Sequence, residues 1–296
     1  MNEVLSNILQ DQFACSHSNN KLKPSTHAVA AWRAAHQLLE QPPIFEDPMA
    51  LSILGDASRD VTDKLELHKH PLSTAMRIAI AARSRFAEDE RKKSLTDGTY
   101  QYVILGAGLD SYAYRNKDQN EHVFEVDLPS TQAVKIAGIQ QLDITPTCKV
   151  SYVACDFEKN SLGESLHSSG FDRHQKAFFS WLGVVPYLDT TAIEETLKFV
   201  ASCAPGSAMV FDYIVDEDNL NEMEQLVVNA LSNQLAAGGE PLKSFFDPQL
   251  LKKKLEELGF TQIEDIGPDY LNEHYLSSRE DGLRVGNLTR IFKVTV

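Results

Sequence analysis

The chain has 296 residues, of which 43% are hydrophobic and 24% charged, as is typical of a globular protein with one core and an extension. Its 42 acidic residues outnumber its 28 basic ones, and the formal net charge is −14. A surface this acidic repels phosphate backbones and anionic lipids at long range, which disfavours nucleic acid or a membrane as the partner. No apolar run approaches the roughly 20 residues that a membrane span needs.

The cysteines and the N-terminus indicate the cellular compartment of the protein. The four cysteines are scattered along the chain and form no C-x-x-C pair; they are Cys15, Cys148, Cys155 and Cys203. Scattered cysteines are typical of reduced thiols, whereas small secreted proteins carry a disulfide framework. The N-terminus also lacks the basic region and apolar run of a secretory signal. We therefore expect a cytoplasmic protein.

The N-terminal third of the chain predicts helices and no clear strand. Asp47 and the proline after it suit the start of one helix, because the carboxylate can cap the first turn. We expect residues 1–98 to form a helical extension that lies as a lid or wall beside a sheet. Polar composition or helical spacing of apolar residues predicts its other helices in a lead-in over 1–24, over 25–39 and over 73–95.

Beyond this extension, apolar strand-like runs alternate with helical stretches. The alternation predicts a parallel, doubly wound α/β sheet over residues 99–296. Thr191 and Glu194 match a capping box that would begin a helix. The alternation breaks over about 217–246, which predicts a helical insertion, and Asp247 then suits the cap of another helix. The predicted strands cover residues 103–105, 123–126, 150–154, 177–185, 207–215, 261–266 and 288–296.

The first predicted strand ends in a glycine turn. Gly106 and Gly108 would let the backbone approach a bound molecule closely. Asp127 closes the second strand about 20 positions later, the spacing at which an acid can hydrogen-bond ribose hydroxyls. Asp156 closes the third strand, and ligands of open parallel sheets gather at such carboxyl ends. The stretch therefore predicts a pocket for a nucleoside-containing cofactor.

The turn departs from the dinucleotide-binding pattern in one respect. The third glycine is missing, because Leu109, Asp110 and Ser111 follow Gly108. That glycine allows close helix packing beneath a pyrophosphate, so its absence favours a cofactor with a nucleoside and no pyrophosphate. S-adenosylmethionine is such a cofactor.

The carboxylate of S-adenosylmethionine needs a cationic partner. Arg83, in the helix before the first strand, is the candidate for this contact, with Arg85 close behind it. The alternative is a surface salt bridge between Arg83 and Glu88 or Glu90. The sequence leaves both possibilities open.

Four segments occur in a fixed order: R-S-R-F-x-E-D, Q-Y-V-I-L-G-A-G-L-D-S-Y-A-Y-R, F-E-V-D-L-P and F-F-S-W-L-G-V-V-P-Y-L. Together they resemble the leucine carboxyl methyltransferase family, which includes bacterial S-adenosylmethionine-dependent methyltransferases and polyketide O-methyltransferases. The resemblance extends from about residue 25 to the final strand. It implies a mostly parallel seven-stranded sheet of the class I methyltransferase type.

The resemblance also implies roles for single residues. An arginine before the first strand would hold the cofactor carboxylate, the glycines would support its methionine part, and acids after the next two strands would bind ribose and adenine. The chain departs from some members by carrying Leu182, not a glutamate, before Gly183, so no cofactor contact is carried over there. The implied cofactor-binding residues are Arg83, Gly106, Gly108, Asp127, Asp156 and Phe157.

The methyl acceptor is less well defined by the sequence. A carboxylate acceptor is already ionised at neutral pH, whereas a hydroxyl acceptor needs a general base such as histidine. We expect His68, His70 and His274 to be structural or surface residues, and they make no convincing set of metal ligands. Candidate acceptor contacts follow strand ends or lie late in the chain; they are Tyr187, Tyr213 and Arg279, with Tyr275 nearby.

We therefore predict an S-adenosylmethionine-dependent methyltransferase that acts on a carboxylate or hydroxyl oxygen of a small molecule. A protein C-terminal carboxylate stays open as the acceptor. One alternative is a nicotinamide-dependent oxidoreductase, which the missing third glycine and the lack of a tyrosine followed four positions later by lysine oppose. The other is a non-catalytic cofactor-binding protein, whose binding residues would be the same.

Overall fold

A seven-stranded sheet forms the centre of the protein. Its strands are β1 (Gln101–Leu105), β2 (His122–Asp127), β3 (Lys149–Ala154), β4 (Ala177–Trp181), β5 (Ala208–Ile214), β6 (Gln262–Ile266) and β7 (Thr289–Thr295). They lie in the order β3-β2-β1-β4-β5-β7-β6, with β7 antiparallel to both of its neighbours and the other pairs parallel. This confirms the predicted α/β sheet. The computed structural model describes residues 22–296, so the predicted lead-in helix falls outside the described residues.

Helices cover both faces of this sheet. Before β1 come α1 (Pro24–Leu39), α2 (Ser58–Asp63), α3 (Leu65–His68) and α4 (Pro71–Thr96). No helix within residues 22–296 is long and apolar enough to cross a bilayer. After β1 come α5 (Tyr112–Arg115), α6 (Pro129–Gln141), α7 (Leu162–Ser168), α8 (Thr190–Ala201), α9 (Glu222–Ala237), α10 (Pro248–Glu257) and α11 (Pro268–Tyr275).

The central strands are buried because an apolar layer lies on each face. On one face, Leu166 of α7 and Leu197 of α8 belong to the core cluster of the sheet. On the other, Ile78 and Phe86 of α4 pack in one cluster with Tyr102 of β1. The N-terminal helices therefore complete the core of the sheet and also reach its carboxyl edge. The boundary at residue 98 between extension and sheet stays a prediction.

The predicted helix start at Asp47 is wrong. One oxygen of its carboxylate accepts a hydrogen bond from the Met49 amide at 3.1 Å, within a turn, and the first helical residues after it form a 3₁₀ turn at Ser52–Ala57. The other oxygen accepts from Arg33 of α1 at 2.6 Å. The Asp47 carboxylate therefore holds a turn and joins it to α1, and no α-helix begins there.

The predicted capping box at the start of α8 is also wrong in its register. The helix begins at Thr190, and its N-cap is Asp189, whose carboxylate accepts from the Ala192 amide at 2.8 Å. Thr191 and Glu194 already lie inside the first turns. Asp189, two positions before Thr191, is therefore the N-cap residue in its place.

The stretch before β6 that was predicted to be an insertion contains a helix over Glu222–Ala237, and its being an insertion stays a prediction. The helix begins with a true capping box, in which Asn221 accepts from the amide of Glu224 and the Glu224 side chain accepts from the amide of Asn221. Asp247 caps α10 as predicted, by accepting from two backbone amides of its first turn. The stretch between these helices returns the chain to the carboxyl edge of the sheet.

Candidate functional site

A cleft of about 470 Å³ lies at the carboxyl ends of β1, β2, β3 and β4. Each of these strands contributes its last residues or the loop that follows, as expected for an open parallel sheet. Helices α1 and α4 and the loop after α9 complete the walls. The cleft brings together these predicted site residues: Arg83, Gly106, Gly108, Asp127, Asp156, Phe157 and Tyr187.

The glycine turn after β1 forms the floor of the cleft. Gly106 has a φ of 70°, and a Cβ atom there would collide with Val184 of the loop after β4. Gly108 has a φ of 48°, and a Cβ atom there would lie 3.2 Å from Cγ2 of Thr26 in α1. The backbone conformation of both positions favours glycine, and Gly106 also leaves no space for a side chain. The glycine turn therefore packs closely against the loop after β4 and against the start of α1, and all three line the cleft.

Asp127 lies directly beside this turn, at the end of β2. Its Oδ2 accepts a hydrogen bond from the Gly108 amide at 2.6 Å, and its Oδ1 accepts from the Leu128 amide at 2.6 Å. Burial raises the pKa of the Asp127 carboxyl, and the two amides oppose this shift. A carboxylate offers about four lone-pair sites, so Asp127 is fixed in place and can still accept from ribose hydroxyls.

Asp156 and Phe157 follow β3 at the outer end of the cleft. Lys159 forms an ion pair with Asp156 at 2.7 Å, and this hydrogen bond lowers the pKa of the Asp156 carboxyl. The Phe157 ring lies 6.0 Å from the Trp181 ring, between their centroids. A hydrogen-bond acceptor next to an aromatic ring suits an adenine, which has an exocyclic amino group and a flat apolar face.

Arg83 projects from α4 to the opposite end of the cleft. Its Nη1 contacts Oδ2 of Asp212 on β5 at 2.5 Å, while Oδ1 of Asp212 accepts from the Gly183 amide at 2.6 Å. Gly183 has a φ of 70°, and a Cβ atom there would lie 2.8 Å from Nη2 of Arg83. The glycine after Leu182 therefore makes room for the guanidinium. Nε of Arg83 is buried and has no hydrogen-bond partner among the described residues.

The alternative role for Arg83, a surface salt bridge with Glu88 or Glu90, is wrong. Glu88 pairs with Arg115, and Glu90 pairs with Lys93 and Lys293. The actual partner, Asp212, lies 129 positions away in the sequence. Helical spacing predicts only partners one turn apart, so it could not reveal this pair. Arg85, the second candidate, is half exposed and pairs with Asp89 outside the cleft.

Two residues predicted to contact the acceptor lie outside the cleft. Tyr213 is fully buried, because neighbouring residues of a strand point to opposite faces and Asp212 takes the face toward Arg83. Its hydroxyl donates to Asp265, and its ring stacks on another aromatic ring. The Arg279 guanidinium pairs with Asp281 and donates to a backbone carbonyl near α1. Both are corrections to the predicted acceptor site.

Tyr187 lies in the cleft, on the 3₁₀ turn Val185–Tyr187. Burial raises the pKa of its hydroxyl to about 12, with a contribution from the charge of Glu240. The hydroxyl therefore stays protonated at neutral pH and acts as a hydrogen-bond donor. Tyr275, its sequence-predicted companion, donates to Asp89 away from the cleft.

A charged cluster that the sequence did not reveal forms one wall of the cleft. Arg33 of α1 pairs with Asp110 at 3.1 Å and with Asp47 at 2.6 Å. Burial alone would raise the pKa of the Asp110 carboxyl, but the Arg33 guanidinium and other nearby cations bring it below its usual value. Asp110 follows the glycine turn directly, so the sequence could have indicated it as a residue of the site. Nothing in the sequence indicated Arg33, because its partners lie in distant parts of the chain.

The histidines considered as general bases lie elsewhere. His68 is buried beneath α4, and burial lowers its pKa to about 4, with the Arg77 charge adding to the effect. His70 is the N-cap of α4 and accepts from the Leu72 amide. His274 is exposed and stacks on a tyrosine ring. None of the three lines the cleft.

The sheet order and this cleft define a class I methyltransferase that depends on S-adenosylmethionine. The residues fit that cofactor: a fixed acid for the ribose, an acid and a ring for the adenine, and an arginine with an unused donor for the carboxylate. Residues 26–201 match the leucine carboxyl methyltransferase family. The chain belongs to this family, and the sequence-based prediction of it is confirmed.

A similar protein agrees with this assignment, and two solved structures share the fold. The chain is 30% identical over 291 residues to the "Putative S-adenosyl-L-methionine-dependent methyltransferase YktD" of Bacillus subtilis, an alignment that covers 87% of this chain and 93% of that protein. A DUF574 family protein from Streptomyces avermitilis shares the fold, with a TM-score of 0.56, 16% identity, and coverage of 83% of this chain and 95% of that one. A protein described as a putative methyltransferase from Thermobifida fusca does so with a TM-score of 0.52, 17% identity, and coverage of 82% and 91%.

Proposed function

We propose that this protein transfers the methyl group of S-adenosylmethionine to a carboxylate oxygen of a small molecule. The sulfonium centre of the bound cofactor supplies an electrophilic methyl group. The chain's own task is then to hold cofactor and acceptor in line and to exclude water. The family name, which refers to a carboxyl group, agrees with this choice of acceptor.

In this proposal different residues of the cleft bind the two ends of the cofactor. Arg83 binds the carboxylate of the methionine part, which lies over the glycine turn. Asp127 accepts hydrogen bonds from the ribose, and Asp156 with Phe157 contacts the adenine. Tyr187 lies on the side left for the acceptor, where its hydroxyl can donate a hydrogen bond to an anionic oxygen.

We infer a carboxylate acceptor from the residues of the cleft that could act as a general base. No histidine lines it within the described residues. Each lining carboxylate already accepts hydrogen bonds from a cation or from other donors, so none of the carboxylates stands unengaged in the cleft to take a proton from an acceptor. The pairs are Glu88 with Arg115, Asp110 with Arg33, Asp127 with the Gly108 and Leu128 amides, Asp156 with Lys159, Glu158 with Lys243, and Glu240 with Ser25.

An acceptor that needs no deprotonation fits such a site. A carboxylate is ionised at neutral pH, whereas a phenol or alcohol would need a base to take its proton. A contact between Ser25 of α1 and Glu240 of the loop after α9 also bridges the walls of the cleft, which favours a small molecule over a protein C-terminus. The three described cysteines, Cys148, Cys155 and Cys203, are free thiols, which fits a cytoplasmic setting.

The test uses S-adenosylmethionine labelled with tritium in its methyl group. The protein is incubated with panels of small carboxylic acids and of phenols, and the products are then treated with base. Base hydrolyses methyl esters and releases volatile methanol, whereas methyl ethers and methylamines keep the label. We expect volatile label with carboxylic acids. Base-stable label would instead show a hydroxyl or nitrogen acceptor, and the carboxylate assignment would be wrong.

A further inference from the structure

We propose that Glu240 is a positioning residue that closes the cleft over the bound cofactor by holding the start of α1. Its carboxylate accepts two hydrogen bonds from Ser25, one from the backbone amide and one from the side-chain hydroxyl, each at 2.8 Å. We call this contact the Glu240–Ser25 latch. The two residues are 215 positions apart in the sequence, and both line the cleft. The inference rests on the cofactor site proposed above.

The start of α1 needs an acceptor from elsewhere in the fold. The N-cap position is Lys23, whose side chain makes no capping hydrogen bond, and Pro24 has no amide hydrogen to satisfy. The Ser25 amide is therefore the first one that needs a partner. Glu240 supplies it and also places a negative charge at the positive end of the helix. Without Glu240, the start of α1 would lose its only described cap.

This helix start lies directly over the predicted cofactor site. Thr26, the next residue, is the side chain that a Cβ atom at Gly108 would approach. Lys23 is close enough to Asp156 for its charge to lower the pKa of that carboxyl. The Tyr187 hydroxyl interacts with the Ser25 side chain. The start of α1 thus spans the cleft from the glycine turn to the adenine end.

The other side of the latch is anchored on both sides of Glu240. At the end of α9, Gly239 has a φ of 81°, and the Glu240 amide donates to the Leu235 carbonyl at 2.9 Å. Beyond Glu240, the Lys243 amide donates to the Pro186 carbonyl at 2.7 Å, and its Nζ pairs with Glu158 at 2.5 Å. Glu240 lies between these two anchors. Breaking its two hydrogen bonds to Ser25 would therefore free the start of α1 while the segment around Glu240 stays in place.

A latch of this kind predicts a kinetic signature. The closed state holds the cofactor, and the open state lets it enter and leave. Weakening the latch should therefore raise both the association and the dissociation rate, while the equilibrium affinity changes less. A residue with a purely structural role would raise dissociation without raising association.

The experiment measures both rates for S-adenosylhomocysteine by stopped-flow fluorescence on the full chain. Glu240→Ala removes the acceptor, and we expect dissociation about tenfold faster or more, since two hydrogen bonds to a charged group are lost. We expect association to rise by about threefold. Glu240→Gln keeps an oxygen for the Ser25 amide and should stay within about threefold of the unmodified protein. Glu195→Gln, an exposed residue of α8, is the matched control.

Ser25→Ala keeps the amide and removes only the hydroxyl, so it tests the latch if Glu240→Ala fails to fold. We expect it to raise both rates by about threefold, the effect of one hydrogen bond. Unchanged rates in a folded Glu240→Ala, or in Ser25→Ala where that variant replaces it, would overturn the latch and leave the cofactor site intact. Failure of the unmodified protein to bind S-adenosylhomocysteine would overturn the proposed function itself.

Discussion

The Arg83 guanidinium is held by Asp212 at one end and keeps a buried Nε without a hydrogen-bond partner among the described residues. An arginine offers five N–H donors, so the ion pair fixes its orientation without exhausting it. Gly183 lies against the guanidinium, where any side chain would collide with it. Sequence reasoning selected Arg83 by its place in the helix before the first strand and by the family resemblance. Its partner on a distant strand explains how the side chain is held in place.

The first prediction concerns this guanidinium. Arg83→Lys keeps the charge but loses the planar fork, so we expect the affinity for S-adenosylhomocysteine to fall about tenfold. Isothermal titration calorimetry measures the change directly. Arg85→Lys is the matched control, because Arg85 lies two positions along the same helix and outside the cleft. A larger loss for Arg85→Lys than for Arg83→Lys would contradict the assignment.

The second prediction concerns Asp127. In Asp127→Asn, the amide oxygen can accept only one of the two backbone hydrogen bonds, and its NH₂ group faces the other donor. We expect at least about tenfold weaker binding of S-adenosylhomocysteine, because the glycine turn and the ribose acceptor are disturbed together. Calorimetry on Asp269→Asn, an exposed residue of α11, shows the effect of the chemical change elsewhere. Equal affinities of both variants would move the ribose site away from β2.

At the scale of elements, the ends of helices proved harder to predict than their existence. Helix α8 was predicted from a threonine and a glutamate three positions later, yet an aspartate upstream provides the cap. Both patterns are compatible with the sequence, and only the backbone conformation at residue 189 decides between them. The same holds for β4, which was predicted to reach residue 185 and ends at Trp181. Gly183, with its φ of 70°, ends the extended conformation there.

The third prediction tests the helix start. Asp189→Ala removes the carboxylate that accepts from the Ala192 amide, and we expect a loss of about 1 kcal/mol in the free energy of unfolding. Thr191→Ala, two positions later on the same exposed turn, should change it by less than about 0.5 kcal/mol. Urea denaturation followed by circular dichroism gives both values. The reverse ranking would restore the capping box predicted from the sequence.

At the scale of the whole molecule, alternation of strands and helices predicted a parallel sheet but could not order its strands. The antiparallel β7 lies between β5 and β6, an arrangement that no local pattern encodes. The family resemblance implied a mostly parallel sheet of seven strands. The sequence also could not predict how the N-terminal helices pack on the rest of the protein, because this packing depends on contacts such as Arg77 with Glu40 and Ser25 with Glu240. Pairs of this kind join distant parts of the chain, and a single sequence shows neither partner as special.

The last prediction follows from the helices packed around His68. Its ring is buried, its Nδ1 has no hydrogen-bond partner among the described residues, and the charges of Arg77 and Lys64 lie nearby. Burial, with these charges, lowers its pKa to about 4 from an unfolded value of 6.5. The unfolded chain therefore binds the proton more readily than the folded protein. The contribution of His68 to stability is complete above the unfolded pKa and is lost as the pH falls toward 4.

We expect acidification from about pH 7 to about pH 4 to lower the free energy of unfolding by on the order of 2 to 3 kcal/mol more in the unmodified protein than in His68→Gln. Comparing the two proteins cancels the other groups that titrate in this range. Urea denaturation at several pH values measures the difference, with His274→Gln, which alters an exposed ring, as the control. Parallel pH profiles for the unmodified protein and His68→Gln would show that the pKa of His68 is the same in the folded and unfolded chain, and the prediction would be wrong.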